Sequence, residues 1–247
     1  MDNLAIAAVG GLRSRMQSLD LLANNLANSA TSGYKSDREF YGIYAAEDSG
    51  NGIDGGAGMA LPVVEKQWSD FSPGVIQTTG NPLDVAIDGK GFLTVTGPQG
   101  PLYTRNGNLR ILPAGELATS DGYPLQTPGG TTIKVTAGQQ INITKEGNVQ
   151  QDGQTIGQIG LITFPSTEPL QKVGSSNFRN TDPNNLPVPV NNPVVEQGKI
   201  EGSNVPVAYS AMRLVAIMRQ FEMLQKAIGI SGEMDTKSIQ EVARVGS

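Results

Sequence analysis

Apolar residues fall seven apart at both ends of this chain and two apart in its middle. Near the start, Ala5, Leu12, Leu19 and Leu26 share one heptad position, and Ala8 or Val9, Met16 and Leu22 fill the intermediate seam. Near the end, Val207, Leu214, Phe221 and Ile228 repeat the spacing, with Ala211, Ile217 and Leu224 between them. A stripe this narrow is what a helix lays along another helix in a coiled coil. Neither helix has an evident partner in the chain except the other, and Ala5, Ala8, Ala23 and Ala27 permit close approach. The pattern predicts a first helix from about Asn3 to Asn28, stopped by the breaker cluster Ser29-Ala30-Thr31-Ser32-Gly33. It predicts a last helix starting near Ser203-Asn204, both good N-cap residues.

Between the ends the period is two. Leu83, Val85 and Ile87 alternate with Asp84, Ala86 and Asp88, and Gly89-Lys90-Gly91 then leads into Phe92-Leu93-Thr94-Val95, which reads as a hairpin. Further strands are expected at Leu102–Thr104, Leu109–Leu112, Ile133–Val135, Ile141–Thr144 and Ile159–Phe164, each bounded by Gly, Pro or Asn turns. Tyr34 to Tyr44 reads as extended or weakly helical, and Glu47 to Gly58 as a mobile Gly-rich loop. Pro183, Pro187, Pro189 and Pro193 deny backbone donors to residues 180–195, an extended connector. The fold class expected is mixed α and β, a central antiparallel β-domain with the two terminal helices pairing as a coiled coil. The corresponding division is a helical module (1–33 with 203–247), a linker with a flexible loop (34–64) and a β-rich domain (65–202).

Composition removes chemistry. The chain has no Cys and no His, which eliminates disulfides, thiolate nucleophiles, imidazole metal sites and Ser-His-Asp or Cys-His catalysis. Eighteen basic against 23 acidic residues give a net charge of −5 with no Lys/Arg run, so nucleic acid is not an expected partner. No apolar run is long enough for a membrane span, and residues 1–11 do not read as a cleaved secretory signal.

The remaining motifs have plain readings. Asp84 and Asp88 are four residues apart on an extended strand, roughly 13 Å between α-carbons, too far to share a proton, and they read as a solvated strand face. Gly89-Lys90-Gly91 lacks the spacing of a phosphate loop and reads as a turn. Gly50-Asn51-Gly52-Ile53-Asp54 matches one fragment of a calcium-binding β-helix repeat, but such turns hold the ion only in stacked copies. Trp68 and Phe71 read as core or interface anchors. No catalytic, cofactor-binding or metal-binding set emerges. The residues expected to matter are the helix seams, Leu12, Leu19, Leu22 and Leu26 with Val207, Leu214, Ile217, Phe221, Leu224 and Ile228, as an assembly interface.

Specific residues add a resemblance. Leu22-Ala23-Asn24-Asn25-Leu26-Ala27-Asn28 followed by Gly33-Tyr34-Lys35 resembles the amino-terminal signature of the bacterial flagellar rod and hook proteins. Thr79 to Phe92 (TGNPLDVAIDGKGF) and Tyr103-Thr104-Arg105-Asn106-Gly107-Asn108-Leu109 resemble their central motifs, and Glu201-Gly202-Ser203-Asn204-Val205 their carboxy-terminal segment. Within that family the short stretch from Tyr34 to Leu83 and Arg219-Gln220-Phe221-Glu222-Met223 are most like the proximal rod members. The chain departs from the family at Ala30, often Asn, and at Pro206-Val207-Ala208-Tyr209, where acidic residues are common.

The resemblance implies a structural, non-enzymatic subunit of the basal-body rod that crosses the periplasm. It implies export through the flagellar type III apparatus without a cleaved signal, and partners that are other rod subunits and copies of itself. Neighbouring expectations are a distal rod or hook subunit. From a different class comes a secreted β-rich carbohydrate-binding protein or enzyme, disfavoured by a single Trp and no converging acids.

Overall fold

The structure, a computed structural model, describes residues 3–45, 60–136 and 138–245. It is mixed α and β, mostly sheet, with a long helix near each end. The Glu47–Gly58 loop and its calcium-like fragment lie outside the described residues. The chain divides into two compact units.

The first unit holds residues 1–26, 37–68 and 206–247. It contains helix α1 (Asn3–Ala27), strands β1 (Asp37–Ala45) and β2 (Ala60–Ser69), which pair with each other, and helix α2 (Val207–Val245). From Asp37 onward the Tyr34–Tyr44 stretch is thus extended, as a strand of a ribbon. Helix α2 starts at Val207 rather than at Ser203-Asn204. Pro206 has its φ already fixed for helix and no N–H to satisfy, and its carbonyl accepts the first helical bond from the Ser210 N–H (2.9 Å). The Asn204 side chain, free of capping duty, is used elsewhere.

The second unit holds residues 27–36 and 69–205. Its largest sheet is antiparallel and six-stranded, in the order Leu170–Val173, Asn177–Asn180, Gly100–Thr104, Phe92–Gly97, Leu161–Thr163, Val188–Pro189. A three-stranded sheet joins Ile141–Ile143, Asn148–Gln151 and Gln154–Gln158, and three two-stranded pairs complete the unit. Phe92–Gly97 and Gly100–Thr104 form a hairpin in which Gly97 faces Gly100, the latter at φ +109°.

The expected hairpin through Gly89-Lys90-Gly91 is not formed. Val85–Asp88 pairs instead with Val194–Gln197, and Val85, Ala86 and Ile87 are all buried. Both faces of that strand are covered, so its alternation marked a turn of composition, not a wet face. The Asp84 carboxylate is likewise buried, accepting bonds from the side-chain amides of Asn81 and Asn108 (3.1 Å each), while Asp88 is exposed. The proline-rich segment supplies the outer strand Val188–Pro189 of the six-stranded sheet, where a missing N–H costs nothing.

Val85, Leu93, Val95, Leu102, Leu117, Leu125, Ile133 and Val149 centre one apolar core. Phe92, Tyr103, Phe164 and Phe178 centre another, with Phe71 packed edge-on 4.9 Å from Phe178 and 5.4 Å from Phe92. Phe71 is a core anchor, as expected; Trp68, in the first unit, is 41% exposed.

Candidate assembly site

In the second unit, three segments distant in sequence meet at a buried ion cluster. Lys35 is fully buried and places its ammonium 2.5 Å from Glu201 Oε1, and Arg105 Nη1 lies 3.1 Å from Glu201 Oε2. Lys35 also donates to the Ser72 carbonyl (2.8 Å), Gly74 N–H donates to Glu201 Oε1 (2.8 Å), and Arg105 Nη2 donates to the Gly89 carbonyl (2.8 Å). The Arg105 guanidinium lies 5.5 Å from the centroid of the Phe92 ring. One carboxylate therefore answers two cations inside the protein. Burial drives the ammonium of Lys35 below its ordinary pKa, opposed by the attraction of Glu201, and burial lowers Arg105 in the same way.

The backbone around the cluster is drawn equally tight. Gly33 N–H donates to the Glu201 carbonyl (2.8 Å), and Gly33 sits at φ +68° against the Arg105–Asn106 peptide. Asn204 joins the same strands: its Oδ1 accepts from Ser36 N–H (2.7 Å) and its Nδ2 donates to the carbonyls of Asp70 (2.7 Å) and Ser72 (3.1 Å). Lys172 lies 4.1 Å from the centroid of the buried Tyr34 ring and donates to the Lys35 carbonyl (2.8 Å). The three motifs Gly33-Tyr34-Lys35, Tyr103–Asn108 and Glu201–Val205 thus converge on one carboxylate. Nothing in their spacing announces it, since Lys35 and Glu201 stand 166 positions apart; a Lys, an Arg and a Glu inside otherwise neutral motifs were the available signal.

Two expectations follow. Gly33→Ala places a Cβ into the Arg105–Asn106 peptide from a left-handed backbone, and should cost roughly 2 kcal/mol or more in urea unfolding of the β-rich unit. Lys35 is charged less readily folded than unfolded, so the unfolded chain binds more protons between its depressed pKa and 10.5. Stability should therefore rise with pH across that window, and a Lys35→Met variant should lack the rise; unfolding curves at stepped alkaline pH check it.

In the first unit, β1 ties to both helices. Asp37 N–H donates to Asn25 Oδ1 (2.9 Å), Asn25 Nδ2 donates to the Asp37 carbonyl (2.8 Å), and Arg213 Nη2 on α2 reaches Glu39 Oε1 at 3.0 Å. Of the residues expected as a seam on α2, Ile217 is buried, and Leu214, Phe221, Leu224 and Ile228 are half-buried. Val207, at the mouth of the helix, is exposed. On α1 Leu22 is buried and Leu12, Leu19 and Leu26 are half-buried, but the most covered line runs through Ser14, Ser18, Leu21, Leu22 and Asn25. Val9 and Met16, assigned to the intermediate seam, are 59% exposed each. At Gly11 an added Cβ would lie 3.7 Å from Leu224 Cδ1, an ordinary van der Waals contact.

Among the described residues no group of three or more acidic side chains is placed to hold a metal ion, and no helix is long and apolar enough to cross a membrane. The described residues offer closely held backbones and helix faces.

Comparison with known proteins gives these features a context. Residues 86–151 match the model of the flagellar hook protein FlgE/F/G D1 domain, and residues 196–241 that of the flagellar basal body rod FlgEFG protein C-terminal region. The chain is 32% identical to the flagellar basal-body rod protein FlgG of Agrobacterium fabrum, over 95% of this chain and 97% of the relative. It is 30% identical to FlgG of Bacillus subtilis over 92% and 94%, and 28% identical to FlgF of Caulobacter vibrioides over 99% and 100%. Arg105 falls within the first matched segment and Glu201 within the second, and the likeness to whole rod proteins runs almost end to end; the chain belongs to the flagellar basal-body rod proteins.

Proposed function

We propose that this chain is a structural subunit of the bacterial flagellar basal-body rod, the shaft through which motor torque reaches the filament. The observation that carries the reading is the end-to-end likeness to rod proteins, and the absence of His and Cys agrees with a structural role without catalysis. Its partners are other rod subunits and copies of itself, and it reaches the periplasmic rod through the flagellar type III apparatus without a cleaved signal. The proximal rod is the place that Arg219-Gln220-Phe221-Glu222-Met223 and the short Tyr34–Leu83 stretch favour.

In this reading residues 1–33 and 203–247 are the assembly module, 34–64 the link and 65–202 the body. The helices pair antiparallel as a coiled coil. The approach of Gly11 to Leu224 supports a register that sets Ser14 opposite Phe221, Ser18 opposite Ile217 and Leu21 opposite Leu214. Gly11, Ser14 and Ser18 on α1 then receive large side chains on α2, the complementarity that lets two helices close on each other. Leu12, Leu19, Leu22 and Leu26 flank that seam.

The outer faces are left for neighbouring subunits. At 100° per residue, Met212, Ala216, Arg219, Met223 and Ile230 share a face of α2 opposite Leu214, Ile217, Phe221 and Leu224. A heterologous contact of this kind, repeated without closing, gives a helical shaft rather than a ring. Peptide mass spectrometry of purified basal bodies tests the reading: the chain should be present at a fixed ratio to other rod proteins, and its absence from intact basal bodies would reject it.

A further inference from the structure

Every methionine whose side chain is described lies on a terminal helix and faces outward. Met16, Met212, Met218, Met223 and Met234 are 48% to 67% exposed, whereas the cores of the β-rich unit are built from Val, Ile, Leu, Phe and Tyr. The placement on α2 is regular. Met212, Met223 and Met234 follow at eleven-residue steps, three helical turns that return to within about 20° of the same line. Three thioethers therefore stand in a row at intervals of about 16.5 Å, on the side of α2 opposite the covered residues Leu214, Ile217, Phe221 and Leu224. A shallow groove lined by Ala211, Met212, Val215, Ala216 and Arg219 opens beside the first of them.

We propose that Met212, Met223 and Met234 form a peroxide-sensitive modification site that governs whether a free subunit can be built into the rod. The proposal rests on the reading that this face of α2 is covered by a neighbouring subunit. In the reaction a thioether lone pair attacks one oxygen of hydrogen peroxide. The O–O bond breaks, sulfur is oxidised by two electrons to the sulfoxide, and the departing hydroxide takes up the proton to leave as water. Sulfur this exposed is reached without any opening of the fold, and the chain has no Cys to intercept the oxidant.

The consequence is one of surface chemistry. Thioethers are soft and adaptable and pack well against irregular apolar surfaces. A sulfoxide carries a strong acceptor oxygen, and covering it with an apolar neighbour leaves that oxygen without a donor. Because the three positions lie on one line, oxidation at any of them spoils the same face. Sulfoxide reduction restores the original side chain, so the modification is reversible. The β-rich unit, with no described methionine, is left as it was.

The test uses the full chain in cells. Strains carrying the wild type or the M212L/M223L/M234L variant are exposed to hydrogen peroxide while rods are being built. The amount of the chain per isolated basal body is measured, and oxidation is mapped by peptide mass in the unassembled pool. The wild-type unassembled pool should carry an added oxygen at all three positions, and its incorporation should fall roughly tenfold or more relative to the variant under the same exposure. Equal incorporation of oxidised wild type and variant overturns the proposal, as does a lack of oxidation at these positions. Absence of the chain from basal bodies even without peroxide rejects the rod reading itself, and the proposal with it.

Discussion

Glu201→Ala should destabilise the β-rich unit by about 3–5 kcal/mol, the largest effect expected of any single substitution in it. The change removes the carboxylate that bridges two buried cations, leaving Lys35 and Arg105 without their shared counter-charge, and it strips Gly74 of the acceptor for its N–H. Three sequence segments lose their common partner at once. The urea midpoint of the β-sheet circular dichroism signal should fall accordingly. Replacing Lys35, Arg105 and Glu201 together by apolar residues of similar volume should recover much of the loss, because the expense lies in the unpaired charges rather than in the absence of the pair. Unchanged unfolding of Glu201→Ala would mean that the cluster is relaxed in solution and does not hold the segments.

Ile217→Asp should have a comparable effect in the helical unit. Ile217 is 4% exposed, so the substitution forfeits roughly 1.5–3 kcal/mol of apolar burial and adds the desolvation of a carboxylate. Helical circular dichroism should fall, rods should fail to form, and the β-sheet signal should persist. Met223→Asp provides the contrast: its side chain is 61% exposed, so stability should move by no more than about 0.5 kcal/mol while rod assembly fails. If both variants lose helix, the outward face of α2 takes part in the fold of the single chain and is not reserved for a neighbour.

On α2 the bulky heptad residues Leu214, Ile217, Phe221, Leu224 and Ile228 are covered to differing degrees, Ile217 almost fully, while Val207 of the same pattern is exposed. On α1 the same rule pointed partly astray. Val9 and Met16 satisfy the heptad but stand in solvent, while Ser14, Ser18 and Asn25, polar and so discounted, are buried. Two of these side chains have particular partners. Ser18 Oγ donates to the Ser14 carbonyl one turn back (3.0 Å), and Asn25 exchanges two bonds with the Asp37 backbone. Only for Asn25 does that partner lie outside the helix, where the local pattern does not contain it.

Several strands were legible from the turn residues that bound them, as at Ile141–Ile143 and Leu161–Thr163, whereas the expected strand Ile133–Val135 is represented only by isolated bridges at Thr132 and Lys134. Their pairing was not. Val85–Asp88 is separated from Phe92 by only three residues yet pairs with Val194–Gln197, more than a hundred positions away, because alternation fixes the face of a strand but not its neighbour. The ion cluster was hidden for the same reason. The sequence placed Lys35, Arg105 and Glu201 in three motifs that resemble one family, and only the fold shows that these motifs meet.

The most direct measurement is electron cryomicroscopy of basal bodies from a strain lacking this chain, beside the same strain complemented with it. The account predicts that the deletion strain has rods that are truncated or absent and does not swim, and that complementation restores both. Complete rods of normal length in the deletion strain would contradict it.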